Sequence, residues 1–165
     1  MSDEQLQRLV DRADISDTIT RYAFAQDKRD WGAFDRVFAD EIYLDLSGHL
    51  GTPPSTVSKD EMLDLLRATL TGFEATHHLI PNHLIELDGD RADVQAYANA
   101  WHTVPTDPGV TDYCVVRAFY EFGLVRTPKG WLIDKMAVKV TGPIEGYAGV
   151  YQVAAERSKA AGAGS

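Results

Sequence analysis

The sequence has 165 residues, a length that suits a single domain with its own hydrophobic core. Its 16 Lys and Arg residues against 25 Asp and Glu residues give a formal charge of -9, which repels phosphate backbones and anionic lipids, so nucleic acid is not an expected partner. A single cysteine excludes an internal disulfide framework. The absence of an apolar run of roughly 20 residues and the acidic N-terminus predict a cytoplasmic protein without membrane association.

Helical patterns occupy the first part of the chain. Apolar residues recur every three or four positions from Asp3 to Arg29, which predicts a long helix whose buried face includes Leu6, Leu9, Val10, Ala13, Ile15, Ile19, Tyr22 and Ala23. A short helix is predicted around Trp31 to Phe38, and a strand from Glu41 to Leu46. Glycines and prolines then indicate a loop from Gly48 to Ser55.

A second amphipathic helix follows, because Ser58 and Glu61 have the spacing of a capping box and the apolar residues after them keep a helical period until near Gly72. The rest of the chain is strand-like. A tight turn at Asp88-Gly89-Asp90-Arg91 joins the first two of four predicted strands. The four segments are His77 to Leu87, Ala92 to Val104, Thr111 to Arg126 and Trp131 to Val140.

Helices followed by long antiparallel strands predict an α+β domain over residues 1–150. In such a fold a curved sheet wraps the helices, and its curvature can open a cavity between the two layers. Residues 151–165 are expected to form a flexible or short-helical tail that frays into Gly-Ala-Gly-Ser.

Asp27 is the first candidate for chemistry. It follows Ala23 by four residues, which places a carboxylate on or beside the apolar face of the first helix. Because an unpaired buried carboxylate is strongly disfavoured, an inward-facing Asp27 requires a cationic or hydrogen-bonding partner. Alternatively, the helix ends here and Asp27 is solvated among Lys28, Arg29 and Asp30. The helical spacing alone leaves both interpretations open.

Two adjacent histidines, His77 and His78, open the next candidate segment. Because neighbouring residues on a strand face opposite sides, only one of them can point into a cavity. Histidine is the commonest general base, especially when a carboxylate fixes its tautomer and stabilises the imidazolium. An Asp–His pair in an apolar pocket would supply a base without metal or cofactor. An ordinary polar pair at the start of a strand fits the same pattern.

No metal site is predicted, because strand alternation sends His77 and His83 to the face opposite His78, and no cysteine or carboxylate completes a ligand set nearby. The chain also lacks a Gly-rich phosphate loop and a Gly-x-Ser-x-Gly motif, which argues against nucleotide-dependent enzymes and ordinary serine hydrolases.

Several aromatic side chains could reach the pocket or could simply pack in the core. Trp101 and His102 lie near the end of the strand that follows the hairpin turn. The tyrosines that could donate a hydrogen bond to a substrate are Tyr22, Tyr43, Tyr97 and Tyr113. The expected apolar lining is drawn from Phe24, Phe38, Leu66, Phe73, Trp101 and Phe119.

Three segments carry a family resemblance: Tyr22-Ala-Phe-Ala-Gln-Asp27-Lys-Arg-Asp30-Trp31, Thr76-His-His78-Leu-Ile-Pro-Asn82 and Gly130-Trp131-Leu-Ile. With this layout the chain resembles the SnoaL-like branch of the nuclear transport factor 2-like superfamily. It is most similar to the lyases typified by scytalone dehydratase and hexachlorocyclohexane dehydrochlorinase. The resemblance implies a cone-shaped α+β barrel, with N-terminal helices packed in the concave face of a curved mixed or antiparallel sheet.

In those lyases an aspartate at the end of the first helix and a histidine that opens a long strand form a catalytic dyad, which corresponds to Asp27 and His78. The resemblance implies that His78 removes a proton, that Asp27 stabilises the imidazolium, and that a hydroxyl or halide leaves, without cofactor or metal. His102 approximates the position of a second histidine in the scytalone enzyme. The expected substrate-binding residues are Tyr22, Tyr43, Asn82, Trp101 and His102.

The expected substrate is a hydrophobic cyclic or polyketide-like small molecule, and the resemblance implies a homodimer or homotrimer. Two other functions fit the same superfamily. One is a ketosteroid-isomerase-like isomerase or cyclase, in which the base shuttles a proton without elimination. The other is a non-catalytic assembly subunit, like the small subunit of aromatic-ring dioxygenases.

Overall fold

The computed structural model describes residues 2–162. The elements in chain order are α1 (Asp3–Lys28), a 3-10 helix (Trp31–Arg36), β1 (Phe38–Asp45), α2 (Ser47–Leu50), β2 (Ser55–Ser58), α3 (Lys59–Leu70), β3 (Ala75–Leu79), β4 (Leu84–Asp88), β5 (Arg91–Asp107), β6 (Val110–Thr127), β7 (Gly130–Val140), β8 (Glu145–Gly146) and α4 (Val150–Gly162). The predicted tail ends in Gly-Ala-Gly-Ser at residues 162–165, and the last three of these residues lie outside the described part of the chain.

One sheet contains all of these strands, in the order β2-β1-β7-β6-β5-β3, with β4 also paired to β5 and β8 to β6. Strands β1 and β7 are parallel, whereas the other pairs are antiparallel. A register shift between Gly123 and Leu124 interrupts the β6–β7 ladder, and such bulges bend a strand. The curved mixed sheet with helices against it confirms the predicted α+β fold.

Helix α1 begins and ends at well-defined caps. A capping box joins Ser2 and Gln5, and the helix stops where Arg29 adopts a left-handed conformation with φ 53°. The prediction that Leu6, Leu9 and Val10 are buried is wrong, since they are 49%, 56% and 43% exposed. The sheet does not cover the first turns, and burial starts at Asp11, which bonds to the sheet.

The predicted strand from His77 to Leu87 is wrong as a single element, because it is broken into β3 and β4. Pro81 has no N–H for a ladder bond, and Asn82 has a left-handed backbone with φ 63°. The Pro81 carbonyl accepts a hydrogen bond from the Tyr97 N–H instead. Asn82 therefore lies in a turn and not on the strand of His78.

The segment predicted as a loop after β1 contains helix α2 and strand β2. At the other end of the chain, α4 packs against α3 with Val150 and Ala154 buried. The contact is close because a Cβ added to Gly72 would lie 1.7 Å from the Ala154 carbonyl oxygen. Glycine at position 72 thus lets α4 lie directly on the end of α3.

Aromatic rings form the centre of the core beneath the helices. Tyr22 makes edge contacts with Phe38 at 5.8 Å and Phe122 at 5.9 Å between ring centroids, and Phe34 stacks on Phe38 at 5.4 Å. These contacts fix the rotation of α1 and hence the direction of its last turn. Within residues 2–162, no helix is both long and apolar enough to cross a membrane.

Candidate active site

Asp27 and His78 meet where the last turn of α1 crosses the start of β3. Asp27 Oδ1 lies 2.7 Å from His78 Nδ1, and Asp27 Oδ2 accepts a 2.9 Å hydrogen bond from the His78 backbone N–H. The Thr76 hydroxyl donates a further bond to Oδ1 at 2.9 Å. The side chains of His78 and Asp27 are 5% and 18% exposed. The interpretation of Asp27 as a solvated helix-end residue is therefore wrong.

The contacts of Asp27 determine the protonation of the pair. Burial raises the pKa of Asp27, but the hydrogen bonds from His78 and Thr76 outweigh it, and the pKa lies below its ordinary value. The ionised carboxylate requires a proton on Nδ1, so the neutral ring keeps its lone pair on Nε2. Nε2 makes no hydrogen bond to any of residues 2–162 and is free to act as a base.

His78 lines a cavity of about 80 Å³ that opens in part to solvent. Most of the lining is apolar: Leu44, Leu46, Leu50, Met62, Leu65, Leu66, Leu70, Ala100, Val116, Met136 and Val138. The polar lining residues are Tyr22, Gln26, His49, Thr69, His78, His102, Tyr120 and Tyr151. None of these lining residues is a lysine or an arginine.

His102 lies beside the dyad, with its ring 5.3 Å from that of His78. The ring also contacts Phe73 at 4.7 Å and Tyr151 at 5.3 Å, and His102 is only 4% exposed. Its Nδ1 has no hydrogen-bond partner among the described residues. Burial, reinforced by His78 and His49, lowers the pKa of His102 to about 3, so the ring is neutral near neutral pH.

Tyr22 lines the cavity as predicted, although it also packs in the core and is 2% exposed. Burial raises the pKa of the Tyr22 hydroxyl well above its ordinary value and that of Tyr120 to about 12. Burial likewise raises the pKa of Tyr151. All three phenols keep their protons and can serve as neutral hydrogen-bond donors.

Three residues predicted to bind substrate lie outside this cavity, and their prediction as pocket residues is wrong. Tyr43 is 44% exposed between the buried Ile42 and Leu44, and Trp101 is 37% exposed beside the buried His102. Strand alternation turns both toward the other face of the sheet. Asn82 is exposed in the turn between β3 and β4.

The predicted apolar lining is right for one residue. Leu66 lines the cavity, whereas Phe38 and Phe73 are buried in the surrounding core. Phe24 and Phe119 are 56% and 43% exposed. Their outward orientation follows from their helix and strand positions.

Five polar lining residues were not predicted from the sequence: Gln26, His49, Thr69, Tyr120 and Tyr151. Gln26 directly precedes Asp27 and is 3% exposed. His49 belongs to the short α2, which was predicted as loop, and Tyr151 belongs to α4, which was predicted as tail. The spacing of Val150, Tyr151, Val153 and Ala154 is the helical signal that could have identified α4 as a packed element.

The other two histidines, His77 and His83, do not line the cavity. His83 Nδ1 is 2.8 Å from the Ser16 hydroxyl oxygen, its Nε2 is 2.8 Å from the Ile80 carbonyl oxygen, and His77 is exposed. Over residues 2–162 there is no group of three or more His, Cys, Asp or Glu side chains suited to hold a metal ion.

The SnoaL-like domain matches residues 7–137. The chain belongs to this family. This SnoaL-like domain is 29% identical over 128 residues to the uncharacterized protein Rv2910c of Mycobacterium tuberculosis, a match covering 76% of the chain and 82% of the relative.

Solved structures share the fold of this SnoaL-like domain. The Kfla4162 protein from Kribbella flavida superimposes with a TM-score of 0.78 at 29% identity, over 89% of this chain and 98% of that one. A hexachlorocyclohexane dehydrochlorinase, LinA type 2, has a TM-score of 0.72 at 21% identity, over 89% and 95%. The family prediction is confirmed, and the proteins that share the fold include an enzyme that converts a small molecule.

Proposed function

We propose that this SnoaL-like domain is a cofactor-independent lyase of the dehydratase or dehydrohalogenase type, acting on a hydrophobic cyclic or polyketide-like molecule. The observation that carries the proposal is the 2.7 Å contact between Asp27 Oδ1 and His78 Nδ1 at the wall of an apolar cavity. It supplies an oriented imidazole base with a carboxylate behind it, in a mostly apolar cavity.

The reaction begins when His78 Nε2 removes a proton from a carbon next to an activating group such as a carbonyl. The electron pair of the broken C–H bond forms a carbon–carbon double bond, and the hydroxyl or halide on the adjacent carbon departs. Asp27 holds the ring through Nδ1 and stabilises the imidazolium that forms. General base catalysis of this kind contributes about a hundredfold to ten-thousandfold to the rate.

The lining favours an uncharged substrate. Its two unpaired histidines, the half-buried His49 and the buried His102, have pKa values lowered by desolvation, and its phenols keep their protons. With neither lysine nor arginine in the lining, a carboxylate or phosphate would lose its hydration without gaining a permanently cationic partner. A neutral ring that carries a carbonyl and a leaving group fits this environment.

The test uses two bicyclic ketones with the same skeleton, one with a hydroxyl and one with a chloride on the carbon β to the carbonyl. Elimination from either gives the same conjugated enone, which is followed by its ultraviolet absorbance. We expect His78→Gln and Asp27→Asn to lower kcat/KM by about 10² to 10⁴ for both ketones, because both lose the oriented base.

His77→Gln is the matched control, because His77 is the exposed neighbour of His78 on the same strand. This variant should turn over both ketones like the wild type. Wild-type rates in the His78 and Asp27 variants would refute the dyad. A product of unchanged mass would refute the lyase and favour the isomerase.

A further inference from the structure

His49 is a cavity histidine with no role in the dyad. It lines the cavity from α2, and its ring lies edge-on to Tyr151 with centroids 5.8 Å apart. The ring makes no hydrogen bond to any other residue in the 2–162 range. Unlike the buried His102, His49 is partly exposed, so it can exchange protons with solvent.

The short helix that carries His49 is held at its first residue by Asp45 and along one side by β7. Asp45 Oδ1 accepts hydrogen bonds from the Ser47 N–H at 3.0 Å and the Ser47 hydroxyl at 2.5 Å, and Asp45 Oδ2 is 2.5 Å from Lys139 Nζ. A Cβ added to Gly48 would lie 3.0 Å from the Val138 carbonyl oxygen, so α2 lies close against β7. The imidazole of His49 is thereby presented to the cavity from a fixed backbone.

A departing hydroxide must receive a proton to leave as water, and the His78 imidazolium can return its proton only to a hydroxyl on the same face of the substrate. His78 lies on β3 and His49 lies beside β7, with β5 and β6 between these strands, so a hydroxyl on the far face needs a second acid. His102 is a poor donor because burial keeps its ring neutral, and the phenols of Tyr120 and Tyr151 are weak acids with raised pKa values. A histidine that lines the cavity and reaches solvent is the remaining donor that can be protonated again after each turnover.

We propose that His49 is the general acid that protonates a hydroxyl leaving group in this cavity. The inference rests on the proposed lyase function and adds a second catalytic residue to it. A halide leaves as a stable anion without a proton, so His49 matters only for substrates that lose a hydroxyl.

The step balances in atoms and electrons. The C–H bond breaks, its proton goes to His78 Nε2, and its electron pair becomes the new C=C bond. The C–O bond breaks, its electron pair stays on oxygen, and that oxygen takes the proton of the His49 imidazolium to leave as water. His78 then releases its proton to solvent and His49 takes one up.

The titratable groups that contact or influence the His49 ring are Tyr151 from α4 and His102 from β5, and the Asp45–Lys139 pair from β1 and β7 lies at the start of its helix. The first two are neutral near neutral pH, and the ion pair cancels its own charge. Burial lowers the pKa of His49, so its imidazolium is a stronger acid than that of a free histidine.

The kinetic test compares the two bicyclic ketones in the wild type and in His49→Gln. We expect the variant to lose about 10² or more in kcat/KM with the hydroxyketone and less than threefold with the chloroketone. In the wild type the ratio of hydroxyketone to chloroketone rates should fall as pH rises, and in the variant it should be low at every pH. Equal losses with both ketones, or no loss with either, would overturn the inference.

His83→Gln is the matched control, because His83 is a partly buried histidine bonded to Ser16 outside the cavity lining. It should leave the ratio of the two rates unchanged. A second measurement needs no substrate: NMR titration of isotope-labelled histidine rings, with the His49 signal assigned by its loss in His49→Gln. A His49 ring that stays neutral down to pH 4 would overturn the inference even if both ketones react.

The outcomes separate the two proposals. Loss of chloroketone turnover in the His78 and Asp27 variants tests the dyad, and the ratio of the two rates tests His49. If the wild type converts neither ketone, the lyase proposal for this substrate class fails and the inference fails with it.

Discussion

Single residues give the cavity its polarity at a few points. Asp27 is fully engaged, since its two oxygens receive three hydrogen bonds from Thr76 and His78. His102, a few ångströms away, is buried with one ring nitrogen unpaired. An unpaired nitrogen in an apolar wall lowers stability unless a ligand bonds to it, which is common where a protein has to recognise a polar substrate group.

We expect the buried His102 to make folding stability depend on pH. Its pKa is lowered from 6.5 to about 3 in the folded state, so below pH 6.5 the unfolded chain binds a proton that the folded chain does not. Stability therefore falls as pH decreases toward 3, with a slope of up to about 1.4 kcal/mol per pH unit from this residue.

Urea unfolding of the wild type and His102→Leu between pH 7 and 4 measures this effect. The leucine variant cannot titrate at this position, so the wild type should lose stability relative to it as the pH falls. A difference between the two proteins that stays constant with pH would show that His102 is protonated as easily in the folded state as in the unfolded state.

Among the elements, α4 completes the cavity from the C-terminal side. Tyr151 in its first turn lines the cavity, and Ala154 lies against the end of α3. Arg157 adds a 2.7 Å hydrogen bond from its Nε to the Gly72 carbonyl. The position of Tyr151 thus depends on how closely α4 approaches Gly72.

Gly72→Ala should force α4 away from α3, because the added methyl group would overlap the Ala154 carbonyl. We expect a loss of about 1–3 kcal/mol in the free energy of unfolding and faster amide hydrogen exchange along α4. Gly142→Ala is the matched control, since a Cβ there meets no atom within 4 Å. Unchanged exchange in Gly72→Ala would contradict the close packing of α4.

Across the whole molecule, α1 is attached to the sheet near both of its ends. Toward the N-terminal end, Arg126 donates two hydrogen bonds to Asp11 at 2.6 and 2.7 Å, and the Trp131 indole donates another at 3.2 Å. At the C-terminal end, Asp27 bonds to β3. The two attachments hold the helix across the sheet, so the catalytic turn is positioned partly by contacts far from the cavity.

Asp11→Asn should destabilise the protein by about 1–3 kcal/mol at neutral pH, because it removes the charge that Arg126 pairs with. The Arg126 hydrogen bonds lower the pKa of Asp11 from 3.8 to about 2. This stability is therefore present above pH 3.8 and is lost as pH falls toward 2.

Denaturant unfolding at pH 7 and pH 3 measures the contribution of the Asp11 carboxylate to the free energy of unfolding. The difference between wild type and Asp11→Asn should shrink at the lower pH. Asp17→Asn, which affects the exposed pair with Arg21, should change stability by less than about 1 kcal/mol. Equal small effects of both variants would show that the Asp11 cluster does not hold α1 to the sheet.

Local signals in the sequence predicted the elements that local interactions determine. The Ser58–Glu61 capping box and the turn at Asp88 to Arg91 are both present, with Gly89 at φ 58° as a tight turn requires. The meeting of Asp27 and His78 joins residues 51 positions apart, and the family resemblance rather than helical spacing predicted it.

Contacts that depend on tertiary packing were not visible in the sequence. His49 reaches the cavity because a four-residue helix is attached to β7, and helices this short have no reliable periodicity. Tyr43 and Trp101 were misplaced because the face of a strand that meets a cavity depends on register. The homodimer or homotrimer and the cytoplasmic location stay predictions.

The bond from the His78 N–H to Asp27 also affects self-association. Strand β3 lies at one end of the sheet, where an unpaired backbone donor could join the strand of a second molecule. Asp27 occupies that donor and places a negative charge beside it. The carboxylate proposed to assist proton removal thereby also leaves this edge strand one donor fewer with which to pair another strand.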